Sequence, residues 1–108
     1  MPPRTRPFSE TIHEQLQKSR SFRSAYLRGT MECLVTGEIE TGKILLRDYV
    51  EGTLGFAKLG KALGRSPAGL KRMLAPKGNP PLRNFFEVTT YLLKRDGAKF
   101  EIVDKKAA

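Results

Sequence analysis

Thr53-Leu-Gly-Phe-Ala-Lys-Leu-Gly-Lys-Ala-Leu-Gly-Arg-Ser-Pro-Ala-Gly-Leu-Lys-Arg-Met-Leu74 decides how this chain is read. It divides into two short helices and a tight turn. Leu59 and Leu63 mark the inner face of the first helix. Gly64 gives the turn its backbone freedom. Ser66 is placed to cap the second helix, with Pro67 at its first position, where a missing N–H costs nothing. Leu70, Met73 and Leu74 then point inward. A helix-turn-helix needs a small residue midway along its first helix, a glycine in the turn and an aliphatic anchor in its second helix. Gly60, Gly64 and Leu70 meet these needs at spacings of four and six.

Working outward, the charge distribution is uneven. The chain has 108 residues and a net charge of +9, from 20 basic and 11 acidic residues. Between Gly52 and Phe86 there is no Asp or Glu. The same window holds Lys58, Lys61, Arg65, Lys71, Arg72, Lys77 and Arg83. A merely soluble basic surface does not explain why acids vanish from one contiguous stretch; a surface facing a polyanion does. If the motif forms, Pro67, Ala68, Lys71 and Arg72 project toward a DNA groove. Lys71 or Arg72 can then donate to guanine edges, and Pro67 and Ala68 can touch thymine methyls. Ser66, Lys58, Lys61, Arg65 and Lys77 suit phosphates, which position without reading sequence.

The flanks read as further helices. Phe8 and Ser9 open one, with Ser9 as its N-cap and Ile12 and Leu16 as its stripe. A second runs from about Ser21 to Thr36, with Phe22, Ala25, Tyr26, Gly29, Cys33 and Leu34 on one face and Gly37 at its end. Glu38 and Glu40 suit the first turn of a third. Its inner side takes Ile39, the stem of Lys43, Leu46, Tyr49 and Val50, and Gly52 ends it. Lys77-Gly-Asn-Pro-Pro81 is a loop. A last helix spans about Leu82 to Arg95, with Leu82, Phe85, Phe86, Thr89, Leu92 and Leu93 inward. Lys99-Phe-Glu-Ile-Val103 alternates as a short strand. Residues 1–7 read as a loose arm and 104–108 as a loose tail. The expected fold is all-α, a single domain of five to six helices with one short C-terminal strand. That lone strand cannot satisfy its own hydrogen bonds, which predicts pairing in a homodimer or with a partner's sheet edge.

Other function classes fit poorly. Cys33 is the only cysteine and His13 the only histidine. No internal disulfide is possible, and a zinc site of the usual ligand set cannot be built. Neither a catalytic constellation nor a cofactor motif is present, so an enzyme is not expected. The aromatics fall at core spacing rather than as a base-stacking platform, which argues against RNA binding. No apolar run has the length of a membrane span and no secretory signal opens the chain, so a cytoplasmic location is expected.

Ile44-Leu-Leu-Arg-Asp48, the Gly55-Phe56 opening, and Leu70-Lys-Arg-Met-Leu74 followed by Pro76-Lys-Gly-Asn-Pro80 carry a resemblance. The chain resembles the addiction-module antidote (antitoxin) proteins, a branch of the lambda-repressor-like helix-turn-helix regulators. The resemblance extends from Thr5-Arg6-Pro7-Phe8 to Val103. It implies an antitoxin of a type II toxin–antitoxin module, a repressor of its own operon that binds operator DNA and a RelE/HigB-type toxin. Some relatives act as stand-alone repressors. The resemblance also implies that DNA contacts lie between Ser66 and Arg72. Two departures stand out: Gly60 occupies a position where alanine is common, and the chain is far more basic than many antitoxins.

Overall fold

The computed structural model describes residues 8–105, with side chains from Glu10 onward. The 1–7 arm and residues 106–108 of the tail lie outside the described residues. Six helices run in order: α1 Phe8–Lys18, α2 Arg20–Val35, α3 Ile39–Gly52, α4 Gly55–Leu63, α5 Pro67–Met73 and α6 Leu82–Arg95. α1, α2 and α3 pack on one another, α4 packs on α3, and α5 packs on α4. One apolar cluster runs through them. It joins Leu16, Leu27, Leu46, Tyr49 and Val50 to Leu54, Phe56, Leu59, Leu70 and Leu74, and takes Val88 and Leu92 from α6.

The pair α4–α5 forms as its sequence dictates. Gly64 adopts φ +69°, ψ +35°, the left-handed conformation that a side chain would strain. The Ser66 hydroxyl accepts a hydrogen bond from the Gly69 N–H at 3.0 Å, and Pro67 takes the first helical turn. Leu59 and Leu70 are fully buried, with Leu63 and Met73 partly buried beside them. Gly60 is where the two helices meet. A Cβ there would lie 2.5 Å from the Arg65 carbonyl oxygen and 3.4 Å from Pro67 Cδ. Both neighbours are rigid, so smallness at this position means no side chain at all. Gly60→Ala is therefore expected to destabilise the fold, although alanine favours an isolated helix by about 1 kcal/mol. The expected net loss is about 1–2 kcal/mol, because overpacking costs more than propensity returns. Urea unfolding followed by circular dichroism checks it; a stabilised variant contradicts the packing.

Several sequence expectations are corrected. α1 begins at Phe8, so Ser9 lies within the helix rather than capping it. The cap of α2 is Ser19, whose hydroxyl accepts from the Phe22 N–H at 3.0 Å. The buried stripe of α2 is Leu27, Thr30 and Met31. Phe22, Tyr26, Gly29, Cys33 and Leu34 are only half-buried, and Ala25 is exposed. Thr30 tolerates burial because its hydroxyl donates to the Tyr26 carbonyl at 2.8 Å. In α6, Val88, Thr89 and Leu92 are buried, whereas Leu82 and Phe86 lie on the surface. Ile39 is exposed as well. No strand occurs among the described residues. Lys99–Val103 is irregular, with Ile102 and Val103 almost fully exposed. The physical reason is plain: no described segment offers a sheet edge to pair with.

Candidate nucleic-acid interface

The outward side of α4–α5 is cationic and open. Lys58 and Lys61 on α4 are exposed, as are Ser66, Pro67, Ala68, Lys71 and Arg72 around α5, and Lys77 in the loop beyond. The placement follows from helical period. Leu70 and Leu74 are spent on the core, which leaves Ala68, Lys71 and Arg72 for solvent. The Lys71 ammonium sits 6.0 Å from the centre of the Phe56 ring, at the outer reach of a cation–π contact. That contact anchors its stem while the residue stays exposed.

Arg65 differs from the other cations. Its Nε donates to Glu87 Oε1 at 2.8 Å and its Nη2 to Asn84 Oδ1 at 2.9 Å. The guanidinium therefore ties the turn between α4 and α5 to the first half of α6. The hydrogen bond from Arg65 holds the Glu87 carboxyl below the usual carboxylate range, against a smaller opposing effect of desolvation. Glu87 is the first acid after the acid-free window, and it meets Arg65 rather than Lys71 or Arg72. The sequence suggests a phosphate contact for Arg65; in the structure its Nε and Nη2 have partners on α6.

Behind this face lies a cleft of about 570 Å³ between α5, the 77–81 loop and α6. Arg65, Ser66, Arg72, Lys77, Asn79 and Asn84 are among its lining residues. In the sequence Asn79 reads as a turn former, and nothing marks Asn84, in the first turn of α6, as a lining residue. Compared with family models, curated proteins and solved structures, the chain has no match.

His13, Asp48 and Glu51 bring ligand atoms within 4.8 Å of one another. Both carboxylates already have partners: the Tyr26 hydroxyl donates to Asp48 at 3.5 Å, and Arg47 lies 3.9 Å from Glu51. Burial, then the Asp48 charge, pushes the Tyr26 phenol up to about 12; burial, then Asp96, does the same for Tyr49. Both phenols thus stay neutral at ordinary pH. Among the described residues, no helix is long and apolar enough to cross a membrane.

Proposed function

We propose that the chain is a sequence-specific DNA-binding transcription regulator that represses its own operon, with α5 as its recognition helix. One observation carries this reading. The surface of α4 and α5 offers Lys58, Lys61, Lys71 and Arg72 to solvent, and the two acids that bound the acid-free stretch, Glu51 and Glu87, are paired with Arg47 and Arg65. An ordinary helical hairpin has no physical need for such a face; a duplex does. In this reading Lys71 and Arg72 read base edges, with Pro67 and Ala68 against thymine methyls. Ser66, Lys58, Lys61 and Lys77 hold phosphates, and Arg65 fixes the turn that presents them.

The regulator works as a homodimer, whose two α5 helices meet successive major-groove faces of the operator. Lys99–Val103 supplies the contact. Phe100 and Ile102 are exposed and alternate with Lys99 and Glu101, which pair at 3.4 Å. An antiparallel partner strand would put the two apolar side chains on one face.

An antitoxin role, with a RelE/HigB-type toxin as second partner, rests on the sequence resemblance. It gains support from a second exposed apolar surface formed by Val35, Ile39, Leu82 and Phe86. The net charge of +9 favours the other form of the proposal, a stand-alone repressor. A small toxin gene beside this one, and co-purification of the two products, separates them.

Gel shift with the chain's own upstream DNA tests the DNA-binding face. Arg72→Ala is expected to relax sequence preference by about 1–3 kcal/mol at one base step. Lys58→Ala is expected to weaken all DNA alike and to flatten the salt dependence by about one. Wild-type binding by both variants would remove α4–α5 as the DNA-binding face.

A further inference from the structure

Lys43 is a buried cation, 5% exposed, in the middle of a helix whose sequence promises only an aliphatic stem at that place. Its ammonium donates to the Gly78 carbonyl at 2.6 Å and to the Pro76 carbonyl at 3.3 Å. Glu40 stands 3.8 Å away but is itself mostly exposed. A buried ammonium is costly unless its protons are bonded, so these carbonyls are what makes the position tolerable. The same loop is pressed against the end of α5. A Cβ on Gly78 would collide with the carbonyl oxygens of Arg72 and Met73. The backbone on either side of Lys77 is thus held from below by Lys43 and pressed from the side by α5.

That loop forms one wall of the cleft behind α5. Arg72 and Lys77 line the cleft with Asn79 and Asn84, and no Asp or Glu lines it. With Arg65 engaged by Glu87 and Asn84, and Arg72 assigned above to a base edge, Lys77 is the cation that remains for a phosphate. We propose that this cleft seats one backbone phosphate of duplex DNA and that Lys43 is its positioning residue. Lys43 makes no contact with the phosphate. It fixes Pro76 and Gly78, so that Lys77 and Asn79 keep their place in the wall of the cleft. The assignment rests on the DNA-binding reading and extends it to a residue outside the recognition surface.

The test measures DNA affinity against salt concentration for the full chain and five variants. Lys77→Ala is expected to lower the salt slope by about one. Lys43→Met keeps the stem and removes the donors, and is expected to lower the slope by the same amount. The double variant is expected to lose no more than either single one, because both act through one seat. Lys43→Arg, which restores donors, should recover part of the loss. Asn79→Asp, which leaves Lys43 and the core untouched, should weaken binding about tenfold by placing a carboxylate against the phosphate. Thermal unfolding of Asn79→Asp should match wild type.

Wild-type affinity and slope in Lys43→Met, or full additivity with Lys77→Ala, would overturn the positioning role. Unchanged binding by Asn79→Asp would overturn the seat. Failure of the wild-type chain to bind any duplex would remove the DNA-binding reading itself, a result distinct from the others.

Discussion

Replacing Leu70 by alanine is expected to lower the unfolding free energy by about 2–5 kcal/mol, a large part of what a domain of this size has. Leu70 is fully buried and is the only buried residue within the seven-residue helix α5. A helix of two turns has almost no stability of its own, so it stays in place only through what it buries. Leu70 supplies that, with Leu74 just beyond the helix end and Leu59 and Phe56 across from it on α4. Removing its side chain leaves a void bounded by α4, which is clamped to α5 at Gly60 and cannot collapse into it. Urea unfolding by circular dichroism measures the loss. Ala68→Gly, on the exposed side of the same helix, is expected to cost only about 1 kcal/mol. Equal losses for the two would mean that α5 is not anchored through Leu70.

The second large effect concerns charge. Replacing Lys58, Lys61, Lys71 and Arg72 together by alanine is expected to flatten the dependence of log K on log salt by about three to four. At low salt the affinity for any duplex should fall by about two orders of magnitude or more. The fold should persist, because all four residues are exposed and none carries a hydrogen bond or ion pair that holds the core. Their substitution also relieves like-charge repulsion along α4 and α5. Fluorescence anisotropy from about 50 to 200 mM salt reads both slope and affinity. An unchanged slope would place the polyanion elsewhere on the molecule.

What could be read in the sequence was what is decided locally. Ser66 before Pro67, and Gly64 before both, specify a turn and a capped helix through bonds that span three residues. α5 and α6 therefore begin where the sequence puts them. The choice of buried face was harder, because α2 carries two apolar stripes. Phe22, Tyr26 and Cys33 form one; Leu27 and Met31 form the other, completed by a threonine that satisfies itself. The packing of the neighbouring helices, α1 and α3 among them, decides which is buried. α6 poses the same problem, since Leu82 and Phe86 match the helical period as well as Val88 does. The strand at Lys99–Val103 was read from alternation alone, and alternation cannot supply the pairing partner a strand requires.

At the candidate interface, the exposed cations were legible as the face left over once Leu59, Leu63, Leu70 and Leu74 are assigned inward. Arg65 was not distinguishable from them. Its partners Asn84 and Glu87 lie 19 and 22 residues away in the chain. The burial of Lys43 depends on carbonyls 33 and 35 residues on, which no local pattern announces.

The claim beneath all of this is that the exposed side of α5 meets a DNA duplex. Amide chemical shifts of isotope-labelled protein, titrated with the chain's own upstream duplex, test it residue by residue. The account predicts that the largest changes fall on Ser66 to Arg72, with smaller ones at Lys58, Lys61 and Lys77. Changes confined to Val35, Ile39, Leu82 and Phe86, or no change at any of these positions, would contradict it.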